Sequence, residues 1–204
     1  MVHVEFYFDL SSPWTCLTFN NIQPIIQETG TNIVYKPFLV GGVFNAVNKS
    51  VYAGRDDPNN PKMKFFLKSL RDWAEWSEVP MNFPSPYHPV KSVNAMRFCC
   101  ALEEDQSALF RFIKAAFEAY FTDQRNLDDP EVLIAIANEV GLGGVALAEQ
   151  LQSDVVKTKL RENTRQVIDR GGFGSPSIFV NETDMYFGND QLPLVKRAIK
   201  LASD

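Results

Sequence analysis

Cysteine is scarce in the 204 residues, with only Cys16, Cys99 and Cys100. Three thiols, two of them adjacent, make no disulfide framework, because a bridge between neighbours closes a strained ring. Histidine is scarcer still. His3 and His88 lie far apart in no ligand spacing, which argues against a His/Cys metal site. No apolar run approaches the ~18 residues of a membrane span, and the opening Met1-Val2-His3-Val4-Glu5 lacks the basic stretch and apolar core of a signal peptide. These absences predict a cytoplasmic protein with no membrane partner. Positive charge is not in excess either: 20 Lys and Arg against 25 Asp and Glu give a formal net charge of −5. Non-specific nucleic-acid binding needs a basic footprint and is excluded as an expectation. There is no Gly-rich phosphate loop, internal repeat or low-complexity tract.

What is present is an ordinary globular composition, 45% hydrophobic, 22% charged and 12% aromatic, long enough for one domain with a large insertion. Residues 2–10 alternate with aromatic content and read as a strand. Ser11-Ser12-Pro13 follows, and residues 14–28 carry a helical pattern (Leu17, Phe19, Ile22, Ile25, Ile26). Serine ahead of proline is a good helix start. Residues 32–39 are a second strand, so the unit suggests a βαβ crossover. Residues 41–61, with Gly41-Gly42, Gly54, Pro58 and Pro61, read as loop. A helical pattern resumes over 62–77, and residues 79–89 are proline-rich and irregular. Helices then dominate at roughly 91–103, 106–121, 130–140 and 145–151, the last running toward 153–171. After Gly171-Gly172 come short strands at 176–180 and 185–187 and a terminal helix at 192–202. Strands at both ends with a helical block between them predict an α/β domain interrupted by an α-helical insertion.

Three segments could carry chemistry. In Asp9-Leu10-Ser11-Ser12-Pro13-Trp14-Thr15-Cys16, a serine at a strand-to-helix turn sits where free amides and the helix dipole favour an anion. It could donate to a bound thiolate, or serve only as a cap. In Phe173-Gly174-Ser175-Pro176-Ser177, a Ser-Pro bond ahead of a strand can be cis and expose backbone groups to an extended peptide, or simply start an edge strand. In Phe187-Gly188-Asn189-Asp190-Gln191, the aspartate could cap the last helix or hold an ammonium group. Trp73, Trp76, Phe65, Phe66 and Leu70 form a helical stripe read as packing, and all three cysteines read as buried packing residues.

The order of these segments resembles a thioredoxin fold with an inserted helical domain, the arrangement of the disulfide oxidoreductase DsbA. Disulfide exchange by the usual route is excluded at the turn, because the four positions that carry Cys-x-x-Cys in DsbA-type enzymes are Ser12-Pro13-Trp14-Thr15. The branch with serine there is the 2-hydroxychromene-2-carboxylate isomerase family, with the similar kappa-class glutathione transferases. The resemblance spans nearly the whole chain. It runs through Phe6-Tyr7-Phe8-Asp9-Leu10-Ser11-Ser12-Pro13, Lys36-Pro37-Phe38-Leu39-Val40-Gly41-Gly42, Asn48-Lys49 and Asn60-Pro61-Lys62. It continues in Asn94-Ala95-Met96-Arg97, Asn126-Leu127-Asp128-Asp129-Pro130, Phe173-Gly174-Ser175-Pro176 and Phe187-Gly188-Asn189-Asp190.

The resemblance implies a thioredoxin-like part at about 1–60 plus 165–204 and an α-helical insertion at about 61–164. It also implies a glutathione site. Ser12 would hydrogen-bond the glutathione sulfur, with Asn48 and Lys62 at the glycyl end. Ser175 and Ser177 around a cis Pro176 would pair with the cysteinyl part, and Asn189 and Asp190 would hold the γ-glutamyl end. The activity implied is a glutathione-dependent cis–trans isomerisation of an aromatic carboxylic acid. The alternatives are a kappa-like transferase or peroxidase and a non-catalytic glutathione- or thiol-binding module. A homodimer is also suggested. Three departures from the family pattern stand out: Gln191 replaces the usual arginine; Cys16, either a buried packing residue or a thiol able to form a mixed disulfide with glutathione, stands where an aromatic residue is common; and the tryptophan before Asn126 is absent, so Tyr120 and Phe121 are expected to line the acceptor pocket.

Overall fold

The structure is a computed structural model that describes residues 2–53, 57 and 59–203. Strand β1 (His3–Phe8) carries Val4, Phe6, Tyr7 and Phe8, all without exposed surface, as an inner strand must. Helix α1 (Pro13–Thr29) starts as the sequence predicts, with Ser12 as cap and Pro13 in the first helical position. It ends on Gly30 at φ +63°, a left-handed conformation that glycine adopts without a Cβ penalty. Strand β2 (Asn32–Pro37) returns parallel to β1, which completes the βαβ unit. Strands β3 (Ser177–Val180) and β4 (Asp184–Phe187) close a mixed sheet of order β2-β1-β3-β4, with β3 antiparallel to both its neighbours.

Between β2 and β3 the chain forms α2 (Val40–Val47), a 3-10 turn (Lys49–Tyr52), α3 (Pro61–Trp76), α4 (Val93–Leu102), α5 (Gln106–Phe121), α6 (Pro130–Glu139), α7 (Gly144–Gln150) and α8 (Asp154–Asp169). A 3-10 turn (Asn189–Gln191) leads into α9 (Leu192–Ser203). The largest apolar cluster runs without a break from the sheet (Val4, Phe6, Phe8, Ile178) into α4, α5 and α6. The corner between α4 and α5 also covers the open edge of the sheet. Gln106 accepts from the Tyr35 amide at 2.7 Å and donates to the Tyr35 carbonyl at 3.2 Å, so edge strand β2 offers these groups to no other chain.

Two expectations are corrected. Residues 41–61 are not all loop, because α2 and a 3-10 turn occupy much of the first half. Gly41-Gly42 suggests a break, yet Val40, Val43 and Phe44 keep the i, i+3, i+4 spacing of a helix face turned to the core. A Cβ on Gly42 would come within 3.1 Å of Thr164 Cγ2, so the glycine permits α2 to pack on α8. Gly54 and Pro58, which also mark this loop in the sequence, lie outside the described residues. The aromatic stripe of α3 is the second correction. Leu70 is buried and Phe66 and Trp73 are half-buried, but Phe65 is 69% and Trp76 77% exposed, so those two are not core.

Candidate functional site

The site begins with one hydrogen-bond network at the carboxyl end of β1. Ser12 Oγ accepts from the Thr15 amide at 3.2 Å, satisfying a free N–H of the first turn of α1. The same hydroxyl donates to the Ser175 carbonyl at 3.1 Å, which ties the start of α1 to the turn before β3. The Ser175–Pro176 bond in that turn is cis. Ser175 Oγ accepts from the Asp9 amide at 2.9 Å and lies 2.7 Å from Thr15 Oγ1. Ser12, Ser175 and Pro176 are therefore brought together.

Asp9 anchors this arrangement from behind, a role that sequence reasoning missed. Its side chain is fully buried. Oδ1 accepts from the Ser11 amide at 2.9 Å and the Ser11 hydroxyl at 2.8 Å, while Oδ2 accepts from the Val40 amide at 2.9 Å and the Ser92 hydroxyl at 3.0 Å. One carboxylate thus joins β1, the start of α2 and the start of α4. Burial pushes its carboxyl above the ordinary value, and the hydrogen bonds pull against that rise. The legible signal was local: Asp9 and Ser11 stand at the i, i+2 spacing of an Asx turn. Its partners from Val40 and Ser92 are distant in sequence.

The other expected residues take different positions around this centre. Asn48 caps the end of α2 and donates from Nδ2 to the Phe173 carbonyl at 3.0 Å, which brings it to the same turn. Lys62 is exposed in the first turn of α3, whose cap is Asn60. One turn further along α3, the Phe66 ring meets the Trp14 ring of α1 edge to face at 6.0 Å. Ser177 is wholly buried in the middle of the sheet, and its hydroxyl donates to the Gly174 carbonyl at 2.8 Å, bracing the turn. Asn189 is buried and accepts from Asn21 Nδ2 of α1 at 2.9 Å, whereas Asp190 beside it is exposed and accepts from Gln191 Nε2 at 3.2 Å.

Tyr120 and Phe121 do not line a pocket. Both are fully buried, and the Tyr120 hydroxyl lies 3.3 Å from His88 Nδ1. The amphipathic pattern of α5 sends them into the core, which proximity to Asn126 in sequence does not reveal. Aromatic surface beside the site comes instead from Phe173 and Phe187, whose ring centres are 4.5 Å apart at the rim of the turn. Gly174 makes that pairing possible, since a Cβ there would come within 2.7 Å of the Phe187 ring.

The turn offers a hydroxyl, helix-terminal amides and backbone groups but no thiol. Cys16 follows it, is 3% exposed, and has its thiol pushed upward by burial. Cys99 and Cys100 are buried as well, as expected. Among the described residues no cluster of His, Cys, Asp or Glu could hold a metal ion, and no helix is long and apolar enough to cross a membrane.

A family model described as a DSBA-like thioredoxin domain matches residues 3–200. The chain belongs to the DSBA-like thioredoxin domain family. Within it, the chain is 29% identical over 198 residues to a 2-hydroxychromene-2-carboxylate isomerase from Sphingobium xenophagum, covering 95% of each chain. It is 23% identical over 209 residues to glutathione S-transferase kappa 1 from Rattus norvegicus, covering 94% of this chain and 88% of that one. A solved structure of a 2-hydroxychromene-2-carboxylate isomerase superposes with a TM-score of 0.84 at 24% identity, covering 98% of this chain and 95% of that one. These are the fold and the relatives that the sequence predicts. At the start of α1 this DSBA-like chain carries Ser12-Pro13-Trp14-Thr15, which contains no cysteine.

Proposed function

We propose that this protein is a glutathione-dependent isomerase that resembles the 2-hydroxychromene-2-carboxylate isomerases and acts on an aromatic carboxylic acid. The observation that carries the reading is the half-buried Ser12 hydroxyl at the amino end of α1, held between the Thr15 amide and the Ser175 carbonyl. Its single proton goes to a neutral carbonyl in the free protein. A thiolate arriving at the turn is a stronger acceptor, so the hydroxyl turns toward sulfur while Oγ keeps its bond from Thr15. The first turn of α1 holds no acidic residue, and its dipole favours the same anion.

Around that sulfur the tripeptide would extend both ways. Asn48 and Lys62 would meet the glycyl carboxylate, where an ammonium suits an anion. Ser175, with Ser177 bracing the turn around Pro176, would meet the cysteinyl backbone, and Asn189 would hold the turn that presents Asp190 to the γ-glutamyl ammonium. In this reading the thioredoxin-like part (about 1–60 and 165–204) supplies most of the site and the helical insertion (about 61–164) supplies Lys62. The thiolate would add to the conjugated system of the substrate, forming a C–S bond and turning a double bond into a single one. Rotation about that bond and loss of the thiolate would restore the double bond in the other geometry and release glutathione unchanged. Ser12 would contribute pre-organised stabilisation of sulfur charge at both ends of the cycle. A cytoplasmic homodimer belongs to the same proposal.

The test is titration of glutathione into wild type and Ser12→Ala, following thiolate absorbance in the ultraviolet against pH. A hydrogen bond to a charged group contributes about 1.5–3 kcal/mol, and 1.36 kcal/mol corresponds to one pH unit. The bound thiol should therefore titrate about one to two pH units higher in Ser12→Ala. Equal titration in both proteins would make Ser12 a cap only and favour a binding module. No binding to either would remove glutathione from the reading. Recovery of a conjugate or of oxidised glutathione in turnover would replace the isomerase with the kappa-like transferase or peroxidase.

A further inference from the structure

Apart from the turn described above, a pocket opens between α2, α4 and α8, and none of the residues assigned above to glutathione lines it. Four cations converge there, Arg97 from α4 and Lys157, Arg161 and Arg165 from α8, in a protein whose net charge is −5. The α8 cations stand at i, i+4 and i+8 and so form one stripe along the helix. Like charges at this spacing destabilise a helix, which makes the stripe costly unless something opposes it. Leu160, Thr164 and Ile168 form the neighbouring stripe and, with Val93, give the pocket a mostly apolar floor.

Little within the protein discharges these groups. Among the described residues neither Arg97 nor Lys157 has an ion-pair partner. Arg97 Nε is sealed from water with no acceptor, so packing rather than a carboxylate holds the guanidinium in place. Arg161 donates to the Thr158 hydroxyl at 2.8 Å, and Arg165 alone is paired, with Asp169 at 3.2 Å on the exposed side of α8. The other cation of this segment, Lys159, turns to Glu103 and Glu104 instead and leaves the pocket to the four.

From this geometry we infer a second binding site, for a small organic anion: an apolar, ring-sized body bearing a phosphate, sulfonate or carboxylate. The volume of about 390 Å³ suits such a molecule. The charged head would lie between Arg97 and the α8 cations, where a guanidinium can make paired hydrogen bonds to a planar or tetrahedral oxyanion. The body would rest on Leu160, Ile168 and Val93. The inference stands on this pocket alone and does not depend on the glutathione reading.

The probe is 8-anilinonaphthalene-1-sulfonate, which combines an apolar body with one anionic group and fluoresces when bound. Wild type is expected to bind it at one saturable site with an affinity that falls as salt rises. Arg97→Met and the double variant Lys157→Met/Arg161→Met should each weaken binding at least about tenfold, given that losing one charge-assisted contact is a change of this order. The α8 pair lies on the rim and keeps the test intact if Arg97→Met does not fold. 1-Naphthyl phosphate should displace the probe and 1-naphthol should not, while Ser12→Ala and saturating glutathione should leave binding unchanged. Equal binding in wild type and both variants, displacement by glutathione, or no saturable binding would overturn the assignment.

Discussion

Replacing Asp9 with alanine tests whether one buried carboxylate organises the candidate site. Four donors converge on it, and two of them, the Val40 amide and the Ser92 hydroxyl, are buried away from water. A buried donor left without an acceptor costs about 1–3 kcal/mol, so these two alone amount to roughly 2–6 kcal/mol. Removing the carboxylate also removes the cost of burying it, which brings the expected loss to about 2–4 kcal/mol. Asp9→Asn should recover only part of this. Each carboxylate oxygen receives a backbone amide, from Ser11 or from Val40, and the asparagine NH₂ must face one of them.

The pH dependence gives an independent check. Burial raises the folded-state value of Asp9 above its ordinary 3.8, so the folded protein holds this proton more tightly than the unfolded chain. The associated stability is complete below that ordinary value and is lost as pH rises through the raised one. Asp9→Ala has no such loss. The gap between wild type and variant is therefore widest below that ordinary value and narrows as pH rises through the raised one. Urea unfolding at several pH values, followed by fluorescence of Trp14, Trp73 and Trp76 and by circular dichroism, measures both quantities. A variant within about 0.5 kcal/mol of wild type, or a gap that widens as pH rises, would refute the argument.

Further predictions concern the backbone and the thiols. Gly172→Ala would put a Cβ within 3.0 Å of the Val167 carbonyl oxygen and 3.1 Å of Ser177 Oγ, and it should cost about 1–3 kcal/mol by thermal or urea unfolding. Gly41→Ala meets nothing within 4 Å inside α2 and should stabilise by roughly 0.4–1 kcal/mol; a loss there would contradict the helix. All three thiols are buried, with Cys16 and Cys100 pushed upward chiefly by burial, so a thiol reagent should label them only at the rate of unfolding. Mass spectrometry after exposure of native protein to oxidised glutathione should find no mixed disulfide, and an adduct on Cys16 would show that it is reachable.

Local chemistry determined much of this molecule. Ser12-Pro13 starts α1 because a hydroxyl cap and a proline in the first turn satisfy that end without any distant partner. The alternation in β1, the return to strands after Gly171-Gly172 and the serine where a dithiol would stand are all visible in neighbouring residues, and with them the family. Tertiary structure decided what depends on residues far apart. Helix α2 forms through a pair of glycines because α8 packs against Gly42 and the sheet-side cluster takes up Val40, Val43 and Phe44. Tyr120 and Phe121 belong to the core rather than to a pocket because α5 turns that face inward, and Phe65 and Trp76 stay exposed because nothing among the described residues covers them. Asp9 and Arg97 show the same limit: a carboxylate three residues before the helix cap and an arginine in an apolar helix read as unremarkable until folding surrounds one with donors and leaves the other without an acceptor. Sequence spacing specifies which groups share a face of an element, whereas burial and hydrogen-bond partners come from other elements and exist only once these have packed.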